Sequence, residues 1–156
     1  MNKVDTKQEQ NKNKTIIMQS KLVYTPIAKN YKKKGTPDSR KDFEEQQTLT
    51  SDGKTWMWDA DPKNTAKKGD IFAFVKNKKD IQFHRITDVR NPTERLDSWR
   101  DNVGQGKRNV LFLSDPIYIM AWDMWIYLNG AKRVMGTAVA SVTKSDNILE
   151  FISKKC

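Results

Sequence analysis

Tryptophans and clustered cations are the residues whose types and spacing bear on chemistry in this chain. Trp56 and Trp58 lie two apart, so on a strand they share a face, and Trp122 and Trp125 lie three apart, which places them on one side of a helix. With Trp99 they make five. An exposed indole holds a base by stacking, worth about 1–3 kcal/mol per base. At least one of these five tryptophans is therefore expected to grip a flipped or unpaired base. Cations gather at Lys76, Lys78 and Lys79, at Arg85, Arg90, Arg95 and Arg100, at Lys107 and Arg108, and at Lys132 and Arg133. A guanidinium makes bidentate contacts to a phosphate or a guanine edge, so the group reads as a phosphate track beside aromatic strands. His84 is the only histidine; it is either a core residue or a contact to a phosphate or base. The plainer alternatives are that the indoles fill a core and the cations are a solvated face.

Enzyme signatures are scarce. The chain has no Walker-type glycine loop, no GxGxxG, no GxSxG and no HExxH, and a lone His with one Cys at position 156 offers no nucleophile with its base. No catalytic residue and no cofactor is assigned. Carboxylate pairs occur at Asp59/Asp61 and Asp115/Asp123. With Lys67 or Lys68, the first pair could hold Mg²⁺ for phosphodiester hydrolysis, although Asp-Ala-Asp-Pro is also ordinary turn composition. A single cysteine excludes an intrachain disulfide and a multi-cysteine zinc site, which suits a reducing compartment. With 29 Lys+Arg against 19 Asp+Glu, the net charge of +10 favours polyanionic partners. No apolar run approaches the ~20 residues that cross a bilayer, and the Lys/Asn/Gln-rich start lacks a signal-peptide core.

The elements that must position these residues lie mostly in the second two-thirds of the chain. Residues 1–20 are expected to form a basic flexible tail, 21–54 an extended, loop-rich linker and 55–156 a β-barrel domain. Within the first parts, 15–18 and 21–24 have the composition of short strands or of a docking segment. From position 55 on, 55–58 reads as a strand. Ile71–Val75 and Ile81–Val89 read as an antiparallel pair across the Lys76–Asp80 connection. Alternation puts Phe72 and Phe74 on one face of the first strand and Ile71, Ala73 and Val75 on the other, so that strand is central. On the second, Ile81, Phe83, Arg85, Thr87 and Val89 are expected to face one way and Gln82, His84, Ile86 and Asp88 the other. Thr93 offers a cap for a helix over 94–99, 109–114 is a buried-strand candidate, and 122–128 is a short helix ended by Gly130. Residues 134–142 and 148–152 read as further strands. The fold class is mainly β with one or two short helices, α+β.

The order Trp56…Lys68-Gly69-Asp70-Ile71-Phe72-Ala73-Phe74…His84-Arg85-Ile86-Thr87-Asp88-Val89 resembles the PUA-like superfamily, especially its ASCH and EVE branches. There a tryptophan-bearing strand precedes a Gly-Asp turn, an apolar strand and a strand with an Ile-x-x-Val pattern. The likeness covers about 35 residues, and 136–142 loosely. It implies a small pseudo-barrel that binds RNA or DNA, often around a modified base held between aromatics, with Trp56, Trp58 and Trp99 as cage candidates. ASCH enzymes acting on modified nucleosides use a Lys, a Thr and an acidic residue, and no matching trio is identified here. Residues 95–114 are also similar to proteins of large DNA viruses, a likeness that carries no function.

The expected function is thus a nucleic-acid-binding module, with Lys/Arg on phosphates, Trp on a base, and nine lysines against two acids over residues 1–34 adding non-specific affinity. A structural or partner-binding protein of a virion or ribonucleoprotein assembly, threaded through its tail, is one alternative. A metal-dependent nucleic-acid-processing enzyme using Asp59, Asp61 or Asp70 is another. The expected location is cytoplasmic or nuclear, or in a virion.

Overall fold

The structure, a computed structural model, describes residues 17, 19–27, 56–60, 65–76, 78–93, 108–130 and 142–155, of which 59, 92, 93 and 108 through the backbone alone. Six strands, β1 (Leu22–Ile27), β2 (Trp56–Ala60), β3 (Ile71–Lys76), β4 (Asp80–Thr93), β5 (Arg108–Leu113) and β6 (Tyr118–Ala121), precede two helices, α1 (Trp122–Leu128) and α2 (Ser145–Ser153). They form a mixed sheet in the order β1-β3-β4-β5-β2, with β6 also paired to β4. The fold is mainly β with two short helices, as the sequence implies.

β3 is built of aromatic and β-branched residues with Ala73 between them, and Ile71 to Val75 are all buried, so it occupies the middle of the sheet. β1 runs parallel to it (Leu22↔Ile71, Ile27↔Lys76), and Pro26, which cannot donate to a ladder, lies in this terminal strand. β4 is antiparallel to β3 and long enough to serve two partners on its far side. Residues 80–83 pair with β6, and 86–93 pair with β5.

The sheet curls tightly. β2 and β3 are separated by β5 and β4, three interstrand steps or about 14 Å if flat. Yet the Trp58 and Phe74 rings meet edge to face at 5.0 Å. Val23 and Ile27 of β1 share the same interior with Trp56, Trp58, Phe72, Phe74, Ile86, Leu111 and Leu113, so side chains from both ends of the sheet fill one concave core. The opposite face carries Ile71, Ala73, Val75, Ile81, Phe83 and Met120, covered by Trp125 and Ile126 of α1 and by Ile148, Leu149 and Ile152 of α2.

Two sequence readings change. Residues 148–152 are helical, not a strand: Ile148, Leu149 and Ile152 bury one side of α2 at spacings of one and four, a pattern that a short apolar run shares with a strand. The two-face alternation of β4 breaks at a bulge. Ile86↔Leu113 is followed by Asp88↔Phe112, which leaves Thr87 as the extra residue, so Val89 packs on the concave core with Ile86 instead of with Ile81 and Phe83. β1 is a short strand as the composition of 21–24 allows, extended to Ile27, and Ile17 is fully buried among the helix-side residues. β4 extends to Thr93; the helix that Thr93 is expected to cap over 94–99, like residues 134–141, lies outside the described residues. β6 was not anticipated. The helix over 122–128 is observed as expected, with Gly130 at φ +90° just beyond Asn129. Asn129 Oδ1 accepts from the Thr143 and Lys144 amides at 2.8 and 3.2 Å, which fastens α1 to the start of α2.

Candidate nucleic-acid interface

The turn before β3 is a clasp. The Asp70 amide donates to the Lys67 carbonyl at 3.1 Å and Gly69 takes φ +97°, as the third residue of a type II turn must. Asp70 is buried, and its carboxylate accepts the Lys21 amide on Oδ1 and the Lys67 amide on Oδ2, both at 3.0 Å. Gly69 N–H donates to the Ile86 carbonyl and Ile86 N–H to the Asp70 carbonyl, each at 2.8 Å, while Ser20 Oγ donates to the Gly69 carbonyl. The Gly-Asp motif thus joins the entry to β1, the turn and the bulged part of β4. With both oxygens engaged by main-chain donors, Asp70 is a structural residue, which removes it from the candidate metal ligands; the Asp59 side chain and Asp61 lie outside the described residues. Among the described residues no three His, Cys, Asp or Glu side chains gather to hold a metal ion. Asp70→Asn replaces one acceptor oxygen with an amide group and is expected to cost about 2 kcal/mol in urea unfolding, because a buried main-chain N–H loses its partner.

Three of the sequence-selected site residues are interior. Trp56 and Trp58 are 3 % and 7 % exposed, so neither ring offers a face to solvent. His84 is fully buried, 4.9 Å from the Trp56 ring and 5.3 Å from that of Phe74. Because a carbonyl only accepts, His84 Nδ1 carries the proton and donates to Ser114 O at 2.7 Å, which leaves Nε2 to accept from Gln82 Nε2 at 2.9 Å. Burial pushes the imidazole down to about 4, against smaller upward effects of the Ser114 bond and the Asp115 charge. Ser114 N–H also donates to the Arg85 carbonyl, and Ser114 Oγ accepts from the Arg85 amide. The neutral histidine therefore braces the bend between β5 and β6, the core alternative that the sequence allowed.

The cations behave differently from one another. Lys76 pairs with Asp80 at 3.0 Å. Arg85 is half-buried. Arg90 is exposed with its guanidinium 4.6 Å from the centre of the Phe112 ring. Lys78 and Lys79 are exposed at the tip between β3 and β4, where Lys78 adopts φ +60°, and among the described residues no ion pair engages them. Lys67, Lys68 and Lys21 are exposed at the opposite end of β3, equally without an ion pair among the described residues. Arg108 is described through its backbone only, and Arg95, Trp99, Arg100 and Lys107 lie outside the described residues.

Sequence reasoning singled out Lys67 and Lys68 only for a metal role and counted Lys21 only in the charge of residues 1–34. The signal for the first two was the Gly-Asp turn itself; for Lys21 it was the parallel pairing of β1 with β3, which no local pattern announces. Elsewhere, a shallow hollow of about 220 Å³ between α1 and α2 is lined by Leu128, Asn147, Glu150, Phe151 and Lys154 and holds none of these residues. Among the described residues no helix is long and apolar enough to cross a membrane. In comparisons with known proteins, no family model matches the chain, and no curated protein and no solved structure is similar to it.

Proposed function

We propose that this chain is a nucleic-acid-binding module that holds single-stranded RNA or DNA by its phosphates. The observation that carries the reading is the placement of exposed lysines, without ion pairs among the described residues, at both ends of β3: Lys67 and Lys68 at one, Lys78 and Lys79 at the other. β3 spans six residues, about 20 Å at the usual rise, so the two ends are spaced to meet separate phosphates of one strand. Arg90 on the Phe112 ring adds a planar cation on the β4–β5 ladder. Kinship with the PUA-like barrels belongs to the same proposal and is supported by the tightly curled sheet and the Gly-Asp turn. Any stacked base is assigned to an aromatic other than the buried Trp56 and Trp58.

Affinity for a labelled single-stranded oligonucleotide is expected to fall at least about tenfold between ~50 and ~200 mM salt, as release of counterions from several phosphates requires. Salt-independent binding, or none at ~50 mM, overturns the proposal. A second reading, partner binding within an assembly, is favoured by Ile119 and Tyr127, which are 56 % and 74 % exposed on β6 and α1. It predicts that Tyr127→Ser abolishes a protein contact and leaves oligonucleotide affinity unchanged.

A further inference from the structure

The geometry points to a phosphate-binding site on the Gly-Asp turn, formed by the ammonium groups of Lys21, Lys67 and Lys68, the Thr65 hydroxyl and the Lys68 main-chain N–H. Lys21 and Lys67 are far apart in sequence, but their amides bind the two oxygens of one carboxylate, so those nitrogens lie at most about 8 Å apart. The Lys21 ammonium donates to Thr65 Oγ1, which sets it over the segment that leads into the turn with Lys67 and Lys68. Thr65 and all three lysines are exposed. Among the described residues nothing engages Lys68 by hydrogen bond or ion pair, at its main chain or its side chain. Its N–H is therefore available to an anion at the second position of a turn whose shape is fixed.

Among the described residues the one acid at this place is Asp70, and it is turned inward onto main-chain donors. Its charge offsets part of the three positive ones and leaves an excess of two. The carboxylate organises the site from beneath, while among the described residues the ligand side presents three ammonium groups, a hydroxyl and a main-chain N–H. Donors to a phosphate group in a rigid arrangement lose little entropy on binding, which distinguishes this cluster from lysines on a mobile loop.

The inference rests on the nucleic-acid reading only for the carrier of the phosphate: a backbone phosphodiester, or a free or terminal phosphate. The test uses the full chain in three titrations at low salt, with a 5′-hydroxyl oligonucleotide, the same oligonucleotide bearing a 5′-phosphate, and inorganic phosphate, followed by the amide resonances of Thr65, Lys67 and Lys68. Those resonances are expected to shift and saturate. Equal affinity for the two oligonucleotides assigns the site to the backbone, and several-fold preference for the 5′-phosphate assigns it to a terminal group. The Lys21→Gln/Lys67→Gln/Lys68→Gln variant is expected to lose about tenfold or more in affinity and to flatten the salt slope by about 2, at ~0.7 per single-strand phosphate contact. Arg at all three positions is expected to retain binding. Shifts with inorganic phosphate and none with oligonucleotide would leave the site standing and defeat the nucleic-acid reading. Oligonucleotide binding of unchanged affinity in the Gln variant, or no shift at the turn with any of the three probes, would overturn the site.

Discussion

Phe74→Ala is expected to destabilise the protein by about 4 kcal/mol, the range seen when a fully buried phenylalanine leaves a cavity. Phe74 is 0 % exposed, and its ring centre lies 5.0 Å from Phe72, 5.0 Å from Trp58, 5.3 Å from His84 and 6.0 Å from Trp56. Two of these partners come from β2, at the far end of the sheet, so the ring joins strands that share no main-chain hydrogen bonds. Its removal takes away the contact that holds the sheet in its curl, along with transfer free energy. Urea unfolding should show a lower midpoint at an unchanged slope, whereas Ile119→Ala on the exposed side of β6 should shift stability by no more than about 0.5 kcal/mol. Equal effects from the two substitutions would contradict a core centred on Phe74.

Acid should weaken the fold through His84. In the unfolded chain the imidazole takes up a proton near pH 6.5, while in the folded protein burial holds it neutral down to about 4. Between these values the unfolded state binds more protons, so stability falls as the pH is lowered from 6.5 towards 4 and the loss is complete below that. The full loss amounts to about 3 kcal/mol. Protonation would also place an N–H at Nε2 against the Gln82 amide group, which must turn over to present its oxygen. Because the chain has one histidine, its imidazole resonances are unambiguous. They should not titrate between pH 7.5 and 5 in the folded protein, and His84→Gln should remove this part of the acid sensitivity. A mid-point near 6.5 in the folded state would refute the buried, neutral assignment.

How much of this was legible in the sequence depended on whether the signal was local. The continuous apolar run of β3, its hairpin with β4 and the helix closed by Gly130 are local patterns with one physical solution, and all are observed. α2 was misread because Ile148, Leu149, Phe151 and Ile152 fit both periods over so short a run. The reversal of Val89 was hidden because a bulge is chosen by the partner strand, and nothing in residues 86–89 declares it. The site divided along the same line. Aromatic content singled out Trp56 and Trp58, but composition cannot say whether an indole faces the core or solvent, and both face the core. Meanwhile Lys21 joins Lys67 through a parallel strand pairing and one buried carboxylate, a long-range consequence of the fold.

The most direct test of the account is an amide-resonance map of the full chain with a single-stranded oligonucleotide at ~50 mM salt, repeated at ~200 mM, where phosphate contacts must weaken. The account predicts shifts concentrated at Lys21, Lys67, Lys68, Lys78, Lys79 and Arg90, fading at the higher salt, with Phe74 and Trp58 in the interior unmoved. An oligonucleotide that moves none of these cations, or that moves only interior residues with no dependence on salt, would contradict it.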